Sequence, residues 1–119
     1  MAYVDGFVLP LPKKNVDTYL QIARKAGKVF KEHGAIEYRE CVGEDLRATM
    51  GMPFTRMVRT KPNETVVFSW VVYKSRAQRD RANAKIMKDP RLAKMMDPKN
   101  MPFNVKRMVY GGFEIKVDL

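Results

Sequence analysis

A chain of 119 residues, 45% hydrophobic and 30% charged, has the balance of one folded domain: it is too short for two cores and too apolar for a disordered chain. The 23 Lys and Arg against 13 Asp and Glu leave a net charge of +10, which raises the question of a polyanionic partner. The single cysteine, Cys41, excludes an internal disulfide and a thiolate metal cage. Asp5, Pro10 and Pro12 interrupt the N-terminal apolar stretch that a secretory signal would need, and no run of roughly 18 apolar residues could span a bilayer. A reducing, cytoplasmic compartment is the expectation.

Residues 3–9 (YVDGFVL) are rich in β-branched and aromatic side chains and are closed by prolines, which predicts a first strand. Over residues 15–33, Val16, Tyr19, Leu20, Ala23 and Phe30 recur at helical spacing with Arg24, Lys25, Lys28 and Lys31 opposite, and Gly34 follows as a helix stop. Residues 35–43 alternate Ile36, Tyr38 and Val42 with Glu37, Arg39 and Cys41 and predict a second strand. Residues 44–53 read as a loop, 54–60 as a short strand, and Lys61-Pro62-Asn63-Glu64 as a turn. Residues 66–73 (VVFSWVVY) carry the strongest strand signal. Ser75 then opens a helix as the start of a capping box with Gln78, running to about Lys88. Asp89-Pro90 breaks it, a further turn or two is expected over residues 91–96, and residues 106–117 return to strand, with Gly111-Gly112 marking a bulge or close backbone approach.

This order predicts an α+β, ferredoxin-like β-α-β-β-α-β sandwich: one domain over residues 1–119, with an antiparallel sheet carrying both helices on one face. Residues 66–73 are apolar at seven of eight positions, so both faces of that strand want cover. Two helices cover one face only, and a homodimer through sheet packing is the simplest cover for the other. The alternative is that residues 44–53 and 95–103 fold over the sheet.

No nucleophile elbow, P-loop, dinucleotide fingerprint or zinc-protease pattern is present, and with one histidine no multi-histidine metal site forms in a subunit. No metal site and no cofactor is indicated. His33 suits a helix terminus, and Cys41 reads as a small buried hydrophobe. On the second helix, Arg76, Arg79, Asp80 and Asn83 fall in the same half as Ala82, Ile86 and Met87. Such a polar group on a packing face is either an anchoring ion-pair network or the lining of a cleft. Ser69 and Trp70 project from opposite faces of the strand, with Trp70 expected in the core. The methionines, among them Met50, Met52, Met57, Met95, Met96 and Met101, cluster in and around the segments read as loops, where thioethers could line an apolar pocket or serve as plastic packing.

Between Lys74 and Lys99 stand nine Lys or Arg against three Asp, so this segment holds much of the net charge. A nucleic-acid or other polyanion interface through Lys74, Arg76, Arg81, Lys85, Lys88 and Lys94 is the alternative to a solvated helix face.

Four stretches are distinctive together: YVDGFV (3–8), VVFSWVVY (66–73), RDRANAKIMKDPR (79–91) and MPFNVKRMVYGGFE (101–114). In these the chain resembles the small bacterial YbaA-like family of unknown function, over essentially its whole length. The resemblance implies a ferredoxin-like fold of the dimeric α/β-barrel superfamily. It supplies no activity. Some relatives bear a label connecting them with signal-recognition-particle RNA. Other superfamily branches, cofactor-independent monooxygenases and haem-handling proteins, place small molecules between helices and sheet. Within the matched motifs, Ser69, Trp70, Arg79, Asp80 and Asn83 are the expected lining of a ligand cleft between the second helix and the sheet. The sequence reading is therefore a dimeric small-molecule binder or minor enzyme, with RNA or polyanion binding as the alternative.

Overall fold

The computed structural model describes residues 1–47 and 49–119. The chain runs β1 (Tyr3–Pro12), α1 (Val16–Glu32), β2 (Glu37–Val42), α2 (Phe54–Met57), β3 (Glu64–Tyr73), α3 (Arg76–Lys88), α4 (Pro90–Met95) and β4 (Val109–Glu114). Single 3-10 turns occupy Lys13–Asn15, Pro98–Asn100 and Val105–Arg107. The strands form one antiparallel sheet in the order β2-β3-β1-β4, open rather than closed into a barrel. This is the ferredoxin-like arrangement, with α2 and α4 as additions.

Pro10 and Pro12 lie inside β1 rather than ending it, which is possible because β1 pairs with β3 to Pro12 but with β4 only to Val8. Lys13 N donates to Asn63 O on the β3 side, so alternate residues 10 and 12 turn their missing N–H toward the edge that β4 has left. Side chains of β1 and β3 then alternate between two faces. Leu9, Leu11, Val67, Val71 and Tyr73 face the helices and are buried there in two clusters, one against Tyr19 and Ala23 of α1, the other against Val29 of α1, Ala82 and Ile86 of α3 and Leu92 of α4.

Local chemistry sets the element ends. Ser75 Oγ accepts from Gln78 N at 3.1 Å, half of the expected capping box, while the Gln78 side-chain Oε1 accepts from Arg81 Nη2 at 3.0 Å. Asp89 caps α4 through Arg91 N at 3.0 Å with Pro90 in the first turn, so the break predicted there separates α3 from α4.

Several expectations need correction. Residues 54–60 are not a strand: Phe54–Met57 forms α2, its turn closed by Met57 N to Pro53 O and Val58 N to Phe54 O, because Phe54, Met57 and Val58 are spaced as a helical face and Val58 is buried. Of the predicted loop 44–53, Ala48 lies outside the described residues. β4 begins at Val109 because Asn104 Oδ1 accepts from Lys106 N and turns the chain into a 3-10 turn first. Pairing through Gly111 and Gly112 is regular, without a bulge; a side chain at 112 would meet the Tyr3 hydroxyl, the close approach that glycine permits. Met87, expected on the packing half of α3, is exposed.

α1, α3 and α4 all pack on one face of the sheet and leave its outer face without them. Phe68, Val109 and Phe113 are 43%, 49% and 60% exposed there, and with Val4, Trp70 and Val72 they form a shallow apolar trough or its margin. Phe54 of α2 reaches Phe68, with ring centroids 5.9 Å apart, and covers one end. The stretch around Met96 to Phe103 folds on the helix face instead, against α1.

Candidate functional site

α1 and the sheet do not close on each other completely, and a cavity of about 150 Å³ lies between them. α1 turns Tyr19, Ile22, Ala23, Ala26 and Phe30 toward it, one stripe at spacings of three and four. Phe7 and Leu9 of β1 and Ser69 and Val71 of β3 form its floor, with Tyr38 and Glu40 of β2 beside them. The segment after α4 closes the remaining side with Met96, Met101, Pro102, Phe103 and Met108. That segment is tied to the start of α1 by Asn15 Nδ2 donating to Pro102 O at 2.8 Å and by the Tyr19 and Phe103 rings meeting edge-on at 5.8 Å.

In this apolar lining stands one carboxyl group. Tyr19 Oη donates to Glu40 Oε1 and Tyr38 Oη donates to Glu40 Oε2, each at 2.7 Å, so each oxygen accepts one phenol. Ser69 lies directly opposite Glu40 across the β2–β3 ladder. Burial raises the Glu40 carboxyl above its ordinary value; hydrogen bonds from Tyr38, Tyr19 and Ser69 act in the opposite direction without overcoming it. Tyr19 and Tyr38 are themselves raised well above the ordinary phenol range, by burial first and by the Glu40 charge second. Both therefore remain protonated donors. The chemistry available is that of a partly desolvated carboxylate: it can accept a hydrogen bond or a proton from a molecule whose remaining surface is apolar.

Tyr38 is itself held by close packing. It rests against Phe30, with ring centroids 5.5 Å apart, and against Gly27 of α1, where a Cβ would come within 2.7 Å of its ring. Among the described residues no group of three or more His, Cys, Asp or Glu is placed to hold a metal ion, and no helix is long and apolar enough to cross a membrane.

Comparison with known proteins gives the family. Residues 2–105, which contain all of the cavity lining except Met108, match "Protein of unknown function (DUF1428)". The chain belongs to the DUF1428 family. The "Uncharacterized protein YbaA" of Escherichia coli K12 is similar at 45% identity over 118 residues, 99% of either chain. Among solved structures, SnoaB, a cofactor-independent oxygenase from Streptomyces nogalater, is similar with a TM-score of 0.63 at 12% identity, covering 99% of this chain and 96% of that one. A dimeric ferredoxin-like protein of unknown function from Jannaschia sp. CCS1 is similar with a TM-score of 0.60 at 14% identity, covering 95% and 99%. Likeness at such identities shows the fold.

In this DUF1428 chain the residues expected to share one cleft are distributed over three environments. Ser69 lines the cavity. Trp70 is on the outer face, half-buried rather than in the core, with Nε1 donating to Glu37 Oε2 at 2.8 Å and its ring 5.3 Å from Phe68. Arg79 reaches under α3 to Asp5, Nη1 to Oδ1 at 3.5 Å, and donates from Nη2 to Tyr3 Oη at 3.1 Å with its guanidinium 4.8 Å above the Tyr3 ring. Asp80 is exposed, 3.1 Å from Arg79 Nε and 3.9 Å from Arg76 Nε, and Asn83 is half-buried on α3. No α3 side chain enters the cavity lining. Asp5 is raised by its burial, which Arg79 opposes, and burial together with Asp5 pushes Tyr73 up to about 12.

Cys41, expected to be buried, is exposed, because its strand parity turns it to the outer face opposite Phe68. His33 is at the end of α1 as expected and meets Asp89 Oδ2 at 2.9 Å. Lys74, Arg76, Arg81, Lys85, Lys88 and Lys94 are all exposed. Glu40, Tyr19 and Tyr38 were not among the expected site residues. One signal could have found Glu40: it is the charged residue whose parity matches the inward Tyr38 and Val42.

Proposed function

We propose that the protein binds a small, mostly apolar molecule in the cavity between α1 and the sheet, with Glu40 as its polar anchor. The observation that supports this best is the placement of a single carboxylate, held by two phenols, in an otherwise apolar space. Burying a charge is costly, and a carboxylate that only stabilised the fold would gain more from being replaced by an apolar side chain. A cavity of about 150 Å³ is the size that takes a benzene ring. Of the residues expected from sequence, Ser69 faces this cavity, while Arg79 pairs with Asp5 and Tyr3 under α3 and Asp80 meets Arg79 from the solvent side.

The same reading makes the outer sheet face the contact of a homodimer, the arrangement in which two open sheets would complete a barrel. The exposed Phe68, Val109 and Phe113 favour it, as does a fold shared with proteins described as dimeric. Light scattering is expected to give twice the chain mass, reduced to one chain by Phe113→Asp; a monomeric parent protein would refute the contact.

Thermal unfolding with benzene and phenol tests the cavity. A ligand at about 100 times its dissociation constant adds about 2.7 kcal/mol of stability, and Ala26→Leu, which fills the cavity from α1, is expected to abolish the shift. Absence of any shift with either probe would refute the reading. A second reading, polyanion binding, is favoured by the six exposed cations from Lys74 to Lys94. It predicts RNA affinity that falls linearly in log–log form with salt.

A further inference from the structure

We propose that the cavity is a proton-transfer site, in which Glu40 acts as general base on a small neutral carbonyl compound. This deepens the binding reading above and rests on it. The geometry restricts the ligand. Glu40 offers acceptor lone pairs, and its two phenol partners are already committed to donating into it, so the ligand group that meets it must carry a proton. Phe7, Ile22, Phe30, Met101 and Phe103 offer only apolar surface, so an anionic ligand would lose its hydration beside a carboxylate and find no cation. A neutral ring-sized molecule with one acidic hydrogen fits both requirements.

The hydroxyl cluster supplies the second half of the chemistry. Proton abstraction breaks a C–H bond next to the carbonyl, forms an O–H bond on Glu40, and moves the C–H electron pair into the enolate, whose charge rests on oxygen. Once Glu40 is neutral, it no longer holds two phenol donors as a carboxylate does. One of Tyr19, Tyr38 or the cross-strand Ser69 is then free to turn its O–H toward the enolate oxygen. Return of the proton to the same carbon gives exchange, and return to a conjugated carbon gives double-bond isomerisation. Neither route requires an oxidant, reductant or further reactant. The burial that raises the Glu40 carboxyl makes it a stronger base than a solvated carboxylate.

Phenylacetone, a neutral ketone with one aromatic ring and an acidified CH₂, is the probe. Its binding is followed by saturation-transfer NMR, and loss of its benzylic proton signal in D₂O buffer reports exchange. The protein is expected to accelerate exchange about 100-fold or more over buffer, benzene is expected to inhibit it competitively, and Glu40→Gln is expected to bind the ketone without accelerating exchange. Glu40→Asp, which keeps a carboxylate but withdraws it, is expected to retain part of the rate, so the test does not depend on one variant folding. Binding without acceleration by the parent protein, or acceleration that survives in Glu40→Gln, would overturn the proton-transfer role and leave the binding site standing. No binding of phenylacetone, benzene or phenol would overturn both.

Discussion

Gly27→Ala on α1 tests how the half-buried Glu40 carboxylate is held. A Cβ there would come within 2.7 Å of Cδ1 and Cε1 of Tyr38 and 3.2 Å of Cγ, against 3.4 Å for ordinary contact, so the ring must move by about 0.7 Å. The ring is confined on its other side by Phe30, and its hydroxyl is bonded to Glu40 at 2.7 Å. Movement therefore stretches that bond or displaces Phe30. Replacing a mid-helix glycine by alanine stabilises by about 1 kcal/mol, while overpacking a filled contact costs about 1–3 kcal/mol. The net expectation is a loss of about 0–2 kcal/mol, read from the urea midpoint at constant slope, together with weaker benzene binding. A variant about 1 kcal/mol more stable than its parent, with benzene affinity unchanged, would show that Gly27 does not position Tyr38.

Glu40→Gln bears on pH dependence. The Glu40 carboxyl is raised in the folded protein above its ordinary 4.5, so its contribution to stability is full below that value and is lost as pH rises through the folded one. The variant should gain on the parent as pH rises above about 4.5, and urea midpoints across the acid range with a constant difference would refute it. Arg79→Ala strands the buried Asp5 and is expected to cost about 3–5 kcal/mol in chemical unfolding, partly recovered by adding Asp5→Asn; a loss under about 1 kcal/mol would show that Asp5 does not need its cation. Asp89 is held well below its ordinary 3.8 by hydrogen bonds from Arg91 and His33, so its contribution is present above that value and lost as pH falls through the folded one. Asp89→Asn keeps the cap of α4 and should be less stable than the parent at neutral pH, the difference closing in acid; a difference that persists in acid would refute the ion-pair account.

The order of strands and helices was legible in the sequence because it rests on local signals: the period of α1, the apolar run of β3, the Ser75 cap and the Asp89-Pro90 break. The short strand expected at 54–60 failed because so short a stretch carries too little periodicity to separate strand from helix, and burial of Val58 decided the matter. Trp70 was expected in the core, whereas its parity sends it to the outer face with Cys41.

The candidate site was less legible than the fold. Ser69 was expected to line a cleft under the second helix and instead faces the cavity under α1, and the expected α3 cluster depended on a helical projection that does not say what lies opposite. In three dimensions Asp5 and Tyr3 of β1 lie opposite Arg79 and engage it.

By itself the sequence determined the ferredoxin-like order, the concentration of positive charge after Lys74 and an apolar excess on the sheet, since each is a property of composition and spacing along the chain. Only the tertiary structure decided that Tyr19, Tyr38 and Glu40 converge and that the segment from Met96 to Met108 closes over them. These contacts join α1, β2 and a stretch more than fifty residues further on. Neither propensity nor periodicity links such distant segments; the pairing register and the seating of α1 on the sheet do.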